Sequence, residues 1–308
     1  MTFRMLAAGA AIAAVWAGRP GDPADGGPGR FHAVREVFDI AYSDSGPGVG
    51  DERRLNLFLP EAEQPFPFVL WIHGGAWITG DRSEETGIAR RFAERGVGVA
   101  AVGYRLSAGT WLDPAAGPGV RHPAHAKDCA RAFAWLRRHA ASYGGDPDRI
   151  VVAGYSSGGH LAALLATDAR YLEAEGLTLD AVRAAVPIAG IYDLEAYYRA
   201  HLEVRGERVA TGHVLDVFGP GVEDLRDASP TAHVGDSRVP MLVVSEYDTY
   251  RYTLRLVEAA ETAGRKGVEF LHVLERDHRS LYRGLGREKD GTRDRVVEYV
   301  RRVTGGGD

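Results

Sequence analysis

A serine flanked by two glycines is the strongest chemical signal in this sequence of 308 residues. Gly154, Ser156 and Gly158 form the pattern Gly-x-Ser-x-Gly. The pattern lies between the apolar run 150–153 and the helix-forming run 161–166. A tight turn from strand to helix holds such a serine in strained backbone geometry, so the residues two positions away must be small. The spacing predicts that Ser156 is a nucleophile whose hydroxyl is lifted above the edge of a sheet.

A pair of glycines upstream could stabilise the negative charge that attack by this serine creates. Gly74 and Gly75 follow His73 at the end of an apolar run. Glycine lets the backbone approach a substrate closely because no β-carbon intervenes. We expect the N–H groups of Gly74, Gly75 and Ser157 to bind the oxyanion of a tetrahedral intermediate. A plain Gly-Gly turn is the alternative, and His73 is expected to support the loop.

A nucleophilic serine also needs a base and an acid that orients the base. His278 follows the apolar run 268–274, and Asp248 follows the run 241–244. In a serine hydrolase with a strand–turn–helix nucleophile, the chain order is serine, acid, histidine. We therefore predict His278 as the base and Asp248 as the acid. Glu246 is the rival acid, and a surface pair without a catalytic role is the alternative for either carboxylate.

The elements that must position these residues alternate along the chain. The runs 38–42 and 55–59 alternate in polarity, which is typical of antiparallel edge strands. Continuous apolar runs are typical of strands buried on both faces of a parallel sheet, and they occur at 68–72, 97–102, 150–153, 184–188, 241–244 and 268–274. Helical periodicity occurs between them, at 83–94, 124–141, 253–263 and 292–303. The alternation predicts an α/β fold with a mostly parallel central sheet and helices on both faces.

Two long stretches interrupt this alternation. Residues 107–122 form a loop-like segment containing Trp111, and residues 194–238 form an insertion between two core strands. Long excursions in a compact domain are usually functional or disordered. The aromatic residues of these segments favour a small cap that covers substrate, and we expect Trp77 and Trp111 to contact it.

Composition excludes several classes of function. The chain has 37 basic and 42 acidic residues and a net charge of -5, so it lacks the basic excess of a nucleic-acid-binding protein. Cys129 is the only cysteine, which rules out an intrachain disulfide. It lies in line with apolar residues at helical spacing, which predicts a buried thiol. His122 and His125 have no cluster of carboxylates or cysteines beside them, so we expect no metal site.

The first 29 residues have the layout of a secretory signal followed by a spacer. Arg4 precedes an Ala-rich apolar run at 5–15, and Val15-Trp16-Ala17 offers small residues at the usual cleavage positions. Residues 18–29 are rich in Gly, Pro and Asp. The apolar run is too short for a membrane span. We expect export to the periplasm or the medium, with a cytoplasmic enzyme carrying an N-terminal extension as the alternative. Residues 30–308 would then form the folded domain.

These motifs resemble those of the α/β-hydrolase superfamily. Within it, the chain is similar to hormone-sensitive-lipase-like and bacterial feruloyl- or acetyl-esterase-like enzymes, and to kynurenine-formamidase-like proteins. The likeness runs from about Phe38 to the C-terminus. The matching stretches are His73-Gly74-Gly75-Ala76-Trp77 with Gly80-Asp81, 143–150 leading to the serine, Asp193, Ala228-Ser229-Pro230 and Asp277-His278. Two positions depart from the usual pattern: Ser245 opens the acid loop instead of glycine, and Ser157 replaces an alanine after the nucleophile.

The resemblance implies a hydrolase of small, short-chain acyl esters that needs no cofactor. It implies Ser156, Asp248 and His278 as the triad, with Gly74, Gly75 and Ser157 as oxyanion donors. An aryl formamidase, a carbohydrate acetyl or feruloyl esterase, and a non-catalytic interaction protein on the same fold are the alternatives. The acyl chain length, the alcohol group and the oligomeric state are not specified by the sequence.

Overall fold

The structure, a computed structural model, describes residues 31–43, 52–113, 115 and 119–305. The predicted signal and spacer at 1–29 lie outside the described residues. The strands in chain order are β1 Val34–Ala41, β2 Arg54–Pro60, β3 Phe66–Ile72, β4 Gly98–Val102, β5 Gly145–Tyr155, β6 Ala184–Ile188, β7 Met241–Ser245 and β8 Val268–His272. Each of the eight predicted strands is present, although several bounds differ by a few residues.

These strands form one eight-stranded sheet in the order β1-β2-β4-β3-β5-β6-β7-β8. β1 pairs with β2 and β2 pairs with β4 in antiparallel fashion, whereas all the other pairs are parallel. The predicted mostly parallel sheet is therefore confirmed. The prediction that 55–59 is an edge strand is wrong, because β2 lies between β1 and β4 and is almost entirely buried.

Helices cover both faces of this sheet, as predicted. They are α1 Thr86–Ala93, α2 Ala124–His139, α3 Ser157–Thr167, α4 Ala169–Glu173, α5 Leu194–Arg205, α6 Glu207–Ala210, α7 Asp216–Phe218, α8 Val222–Asp227, α9 Pro230–His233, α10 Tyr250–Thr262, α11 His278–Leu285 and α12 Gly291–Val303. Alternate residues of β3 enter different cores, because successive side chains of a strand point to opposite faces. Leu70 packs in the core with α2, α3 and α10, whereas Trp71 packs with α1, α11 and α12.

The insertion between β6 and β7 is helical, and we refer to it as the cap segment, or cap. It contains α5 to α9 and one turn of π-helix, Thr211–Leu215. Asp193 caps the start of α5 by accepting the N–H of Ala196. His213 in the π-helical turn stacks on Trp111 of the 107–122 loop, with ring centroids 5.1 Å apart and planes at 7°. The two predicted excursions therefore pack against each other above the sheet.

Cys129 lies on α2 and is fully buried, as predicted. Burial raises the pKa of its thiol well above the ordinary value. Across the part of the chain that the structure describes, no helix is both long and apolar enough to cross a membrane.

Candidate active site

Ser156 lies at the junction of β5 and α3, in a conformation that L-amino acids rarely adopt. Its φ is 56° and its ψ is −119°. The backbone N–H of Ser156 donates to the carbonyl oxygen of Ile188 on β6 at 2.8 Å, which helps to hold the strained turn. The serine is partly exposed to solvent. The backbone thus has the geometry expected of a nucleophile elbow.

The glycines around Ser156 are required by backbone contacts on both sides. A β-carbon at Gly154 would lie 2.3 Å from the carbonyl oxygen of Gly158. A β-carbon at Gly158 would lie 2.0 Å from the carbonyl oxygen of Ile72 on β3. Neither position can therefore hold a larger residue unless the elbow moves away from the sheet.

His278 contacts Ser156 directly, from the start of α11. The Nε2 atom of His278 lies 3.0 Å from the Oγ atom of Ser156. Its Nδ1 atom lies 3.0 Å from the Oε1 atom of Glu246. A carboxylate only accepts hydrogen bonds, so the imidazole carries its proton on Nδ1, and Nε2 accepts from the serine hydroxyl. The side chains form a continuous hydrogen-bonded relay of carboxylate, imidazole and hydroxyl.

The acid predicted from the sequence, Asp248, does not contact the imidazole, and the prediction is corrected on this point. Its Oδ2 atom accepts the backbone N–H of His278 at 2.8 Å. Asp248 lies in the exposed turn two residues beyond Glu246, whereas Glu246 directly follows β7 and points inward. The longer glutamate side chain from the strand end reaches the imidazole, and the aspartate instead satisfies a free N–H at the start of α11.

The environment of Glu246 keeps its carboxylate ionised. Its side chain is fully buried, and burial alone would raise its pKa. Hydrogen bonds from His278, from Thr249 and from the N–H of Asp248 outweigh burial, so the pKa of Glu246 is below its ordinary value. An ionised Glu246 would stabilise the imidazolium that forms when His278 takes a proton.

The loop after β3 passes close to the nucleophile. A β-carbon at Gly74 would lie 3.3 Å from the β-carbon of Ser156. Gly75 has a φ of +117°, and its carbonyl oxygen accepts the N–H groups of Ile78 and Thr79. Ser157 is the first residue of α3, where a backbone N–H has no partner within the helix. The structure thus places Gly74 beside the nucleophile and Ser157 at the start of α3.

The two tryptophans predicted to contact substrate have different environments. Trp77 is only 2% exposed, its Nε1 atom donates to Nδ1 of His160 at 3.3 Å, and its ring packs on Phe218 of the cap. A side chain so enclosed offers no surface to a substrate, and Trp77 instead supports the loop. Trp111 is partly exposed and stacks on His213. Its contact with substrate stays a prediction.

Two other histidines near the site make structural contacts, as predicted for His73. The Nδ1 atom of His73 donates to the carbonyl oxygen of Gly74 at 2.7 Å, and burial lowers the pKa of this imidazole. His272, on the edge strand β8, hydrogen-bonds the hydroxyl of Ser245 at 2.8 Å. In the described ranges, no group of three or more histidine, cysteine or acidic side chains could hold a metal ion.

The contacts made by the backbone of His278 were not identified from the sequence. Asp248 binds its N–H, and the phenol of Tyr155 donates to its carbonyl oxygen. Tyr155 occupies a variable position of the Gly-x-Ser-x-Gly pattern, so spacing carries no information about it. Its proximity to the serine was the only available signal.

Comparison with known proteins gives the family. The BD-FAE family model matches residues 55–249, which is more than half of the chain. Two esterases of Mycobacterium tuberculosis are similar in sequence. Esterase LipQ is 34% identical over 71% of this chain and 50% of its own length, and the probable carboxylic ester hydrolase LipM is 32% identical over 72% and 52%. The chain spans about half the length of these curated relatives.

Solved structures share the architecture at lower sequence identity. Esterase B from Lactobacillus rhamnosis superposes with a TM-score of 0.71 at 20% identity, over 88% of this chain and 87% of that protein. An esterase from Pyrobaculum calidifontis gives a TM-score of 0.64 at 22% identity, over 89% and 85%. At this identity the likeness shows the fold alone. The family match, the sheet topology and the strained serine turn lead to one conclusion: the chain belongs to the BD-FAE family and has the α/β-hydrolase fold.

Proposed function

We propose that this protein hydrolyses small carboxylic esters, with Ser156 as nucleophile, His278 as base and Glu246 as the orienting acid. The observation that carries the proposal is the relay of two 3.0 Å contacts, from Glu246 to His278 and from His278 to Ser156. Both distances lie within the range required for proton transfer between a nucleophile and its base. The names of the mycobacterial relatives, which describe esterases, support the same reaction class.

The proposed reaction proceeds in two halves through an acyl-enzyme. The Oγ atom of Ser156 forms a bond to the ester carbonyl carbon while its proton passes to Nε2 of His278. The tetrahedral intermediate collapses, the carbon–oxygen bond to the alcohol breaks, and His278 returns the proton to the departing oxygen. Water then attacks the acyl-enzyme, His278 takes its proton, and the serine leaves with that proton as the acid is released.

The backbone near the serine would stabilise the oxyanion of each tetrahedral intermediate. We assign this role to the N–H groups of Gly74, Gly75 and Ser157, each of which would contribute about 3 kcal/mol to lowering the barrier. The adjacent helix α3 directs its N-terminus to the same place, and the helix dipole favours negative charge there.

Replacement of the nucleophile tests the proposal. Ser156→Ala should abolish release of p-nitrophenol from p-nitrophenyl acetate and prevent labelling by a fluorophosphonate, while the circular dichroism spectrum stays unchanged. A variant that keeps most of its turnover would refute the assignment of Ser156.

A panel of substrates tests which acyl chain length and which type of bond the protein hydrolyses best. We expect activity on p-nitrophenyl esters to decline beyond about butyrate, because we expect the cap to leave room only for short acyl chains. An aryl formamide and an acetylated xylan, assayed beside these esters, measure the two alternative hydrolase activities. If the aryl formamide or the acetylated xylan is turned over faster than the acetate ester, that compound represents the physiological class of substrate and small esters do not.

A further inference from the structure

Tyr155, the residue immediately before the nucleophile, also contacts the base. It ends β5, and its side chain is only 5% exposed. Its phenol hydroxyl donates to the backbone carbonyl oxygen of His278, and the two ring centroids are 4.8 Å apart. Two consecutive residues therefore contact the same histidine, one at its imidazole and the other at its main chain.

His278 is held by hydrogen bonds at its main-chain and side-chain polar atoms. Ser156 binds Nε2, Glu246 binds Nδ1, Asp248 accepts the N–H, and Tyr155 donates to the carbonyl. Of the two main-chain contacts, the one from Tyr155 comes from β5, the strand that leads directly to the nucleophile. Any displacement of α11 relative to β5 would therefore disturb this contact and the distance from serine to imidazole together.

Tyr155 is in turn supported by a chain of contacts that leads through Tyr282 and Glu85 to β3. Its ring packs on the ring of Tyr282, with centroids 5.0 Å apart. The hydroxyl of Tyr282 donates to Oε1 of Glu85 at 3.1 Å, and Nε1 of Trp71 donates to Oε2 of Glu85 at 2.7 Å. Trp71 precedes Gly74 by three residues, so these contacts link the loop that holds Gly74 to α11, the helix that carries His278.

We infer that Tyr155 is a positioning residue that sets the distance between Ser156 and His278 through its hydroxyl. The inference rests on the proposed function, since it assigns a role within the same relay. A hydrogen bond that fixes the main chain of the base lowers the population of conformations in which the base and the nucleophile are too far apart to react. Even a small displacement of either group lowers the reaction rate strongly. The effect belongs to the chemical step, not to substrate binding, because Tyr155 is enclosed by protein.

Tyr155→Phe isolates the hydroxyl, since phenylalanine preserves the ring and its packing. We expect kcat for p-nitrophenyl acetate to fall on the order of tenfold with KM nearly unchanged. The rate of fluorophosphonate labelling of Ser156 should fall by the same factor. In the proton NMR spectrum, the low-field signal of the His278 Nδ1 proton should broaden or shift as the imidazole loosens.

Tyr299→Phe is a matched control for loss of a buried phenol hydroxyl. Tyr299 is 2% exposed, and its hydroxyl, among the described residues, has no hydrogen-bond partner. This variant should keep wild-type kcat, labelling rate and NMR signal. The inference is overturned if Tyr155→Phe matches the wild type in these readouts, or if Tyr299→Phe loses as much.

The two proposals fail differently. If the proposed function is wrong, either the wild type does not hydrolyse p-nitrophenyl acetate or Ser156→Ala keeps the wild-type turnover. If only the role of Tyr155 is wrong, Ser156→Ala is inactive while Tyr155→Phe remains as fast as the wild type. The NMR signal of His278 reports the effect of Tyr155 without any substrate.

Discussion

At the scale of single residues, burial distinguishes the two carboxylates beside His278. Glu246 is fully buried and binds the imidazole, whereas Asp248 is exposed and binds only the backbone N–H. A buried carboxylate interacts with a charged partner more strongly than an exposed one because less water screens the charges. The two residues should therefore contribute very differently to catalysis, although they are only two positions apart.

Replacing each carboxylate by its amide tests this difference. Glu246→Gln should lower kcat on the order of a thousandfold, because the amide cannot stabilise the imidazolium and can favour the wrong tautomer. Asp248→Asn should lose less than about tenfold, because an amide oxygen still accepts a backbone N–H. Steady-state kinetics with p-nitrophenyl acetate measures both. A greater loss in Asp248→Asn would return the acid role to the aspartate.

The sequence predicted the base and narrowed the acid to two candidates, but it ranked them in the wrong order. Hydrophobic periodicity identifies the strand that ends before Glu246, yet it does not determine the direction of side chains in the turn that follows. The direction of Glu246 depends on its hydrogen bonds with Thr249 and His278, and His278 is 32 residues further along the chain.

At the scale of elements, α3 is pressed against the centre of the sheet. All its residues are buried, and Gly158 is placed with no room for a β-carbon beside Ile72 of β3. Gly87 on α1 is also helical but has nothing within 4 Å of the corresponding position. The same substitution at these two glycines should therefore have opposite effects on stability.

Gly158→Ala should destabilise the protein by more than about 3 kcal/mol, because the added methyl overlaps a backbone carbonyl that cannot rotate away. Gly87→Ala should stabilise it by about 0.5–1 kcal/mol through helix propensity. Urea unfolding followed by circular dichroism gives both values. Equal effects at the two sites would mean that the elbow and β3 are less closely packed than the structure shows.

Long elements were predictable, but the structure of the cap was not. The strands and α2, α10 and α12 were located because their periodicity extends over several residues. Helices α6 to α9 contain between three and six residues, too few to show a helical repeat. The π-helical turn between α6 and α7 packs against the 107–122 loop, as in the stacking of His213 on Trp111, and such a long-range contact leaves no periodic pattern in the sequence.

At the scale of the whole molecule, a buried carboxylate couples stability to pH. Glu85 is 2% exposed, and burial raises its pKa to about 7 despite hydrogen bonds from Trp71 and Tyr282. Because its pKa is higher in the folded state, the folded protein binds the proton more tightly than the unfolded chain does. The resulting stabilisation is complete below about pH 4.5 and is lost as the pH rises towards about 7.

Glu85→Gln should remove this dependence, because glutamine stays neutral and can keep both contacts. The free energy of unfolding of the variant, relative to the wild type, should rise by up to roughly 3 kcal/mol between about pH 5 and about pH 8. Glu84→Gln, which changes the exposed neighbouring carboxylate, is the control and should show little change. A pH-independent difference for Glu85→Gln would contradict the coupling.

The single, fully buried sulfhydryl of Cys129 also has a practical consequence. A thiol that is enclosed and resists ionisation reacts slowly with maleimides, so a cysteine introduced on the surface would be labelled selectively. Tyr247, between the two carboxylates, is 80% exposed and suits this purpose. A fluorophore attached there would report motion of the turn that holds Glu246 and Asp248, in a protein that needs no prior cysteine removal.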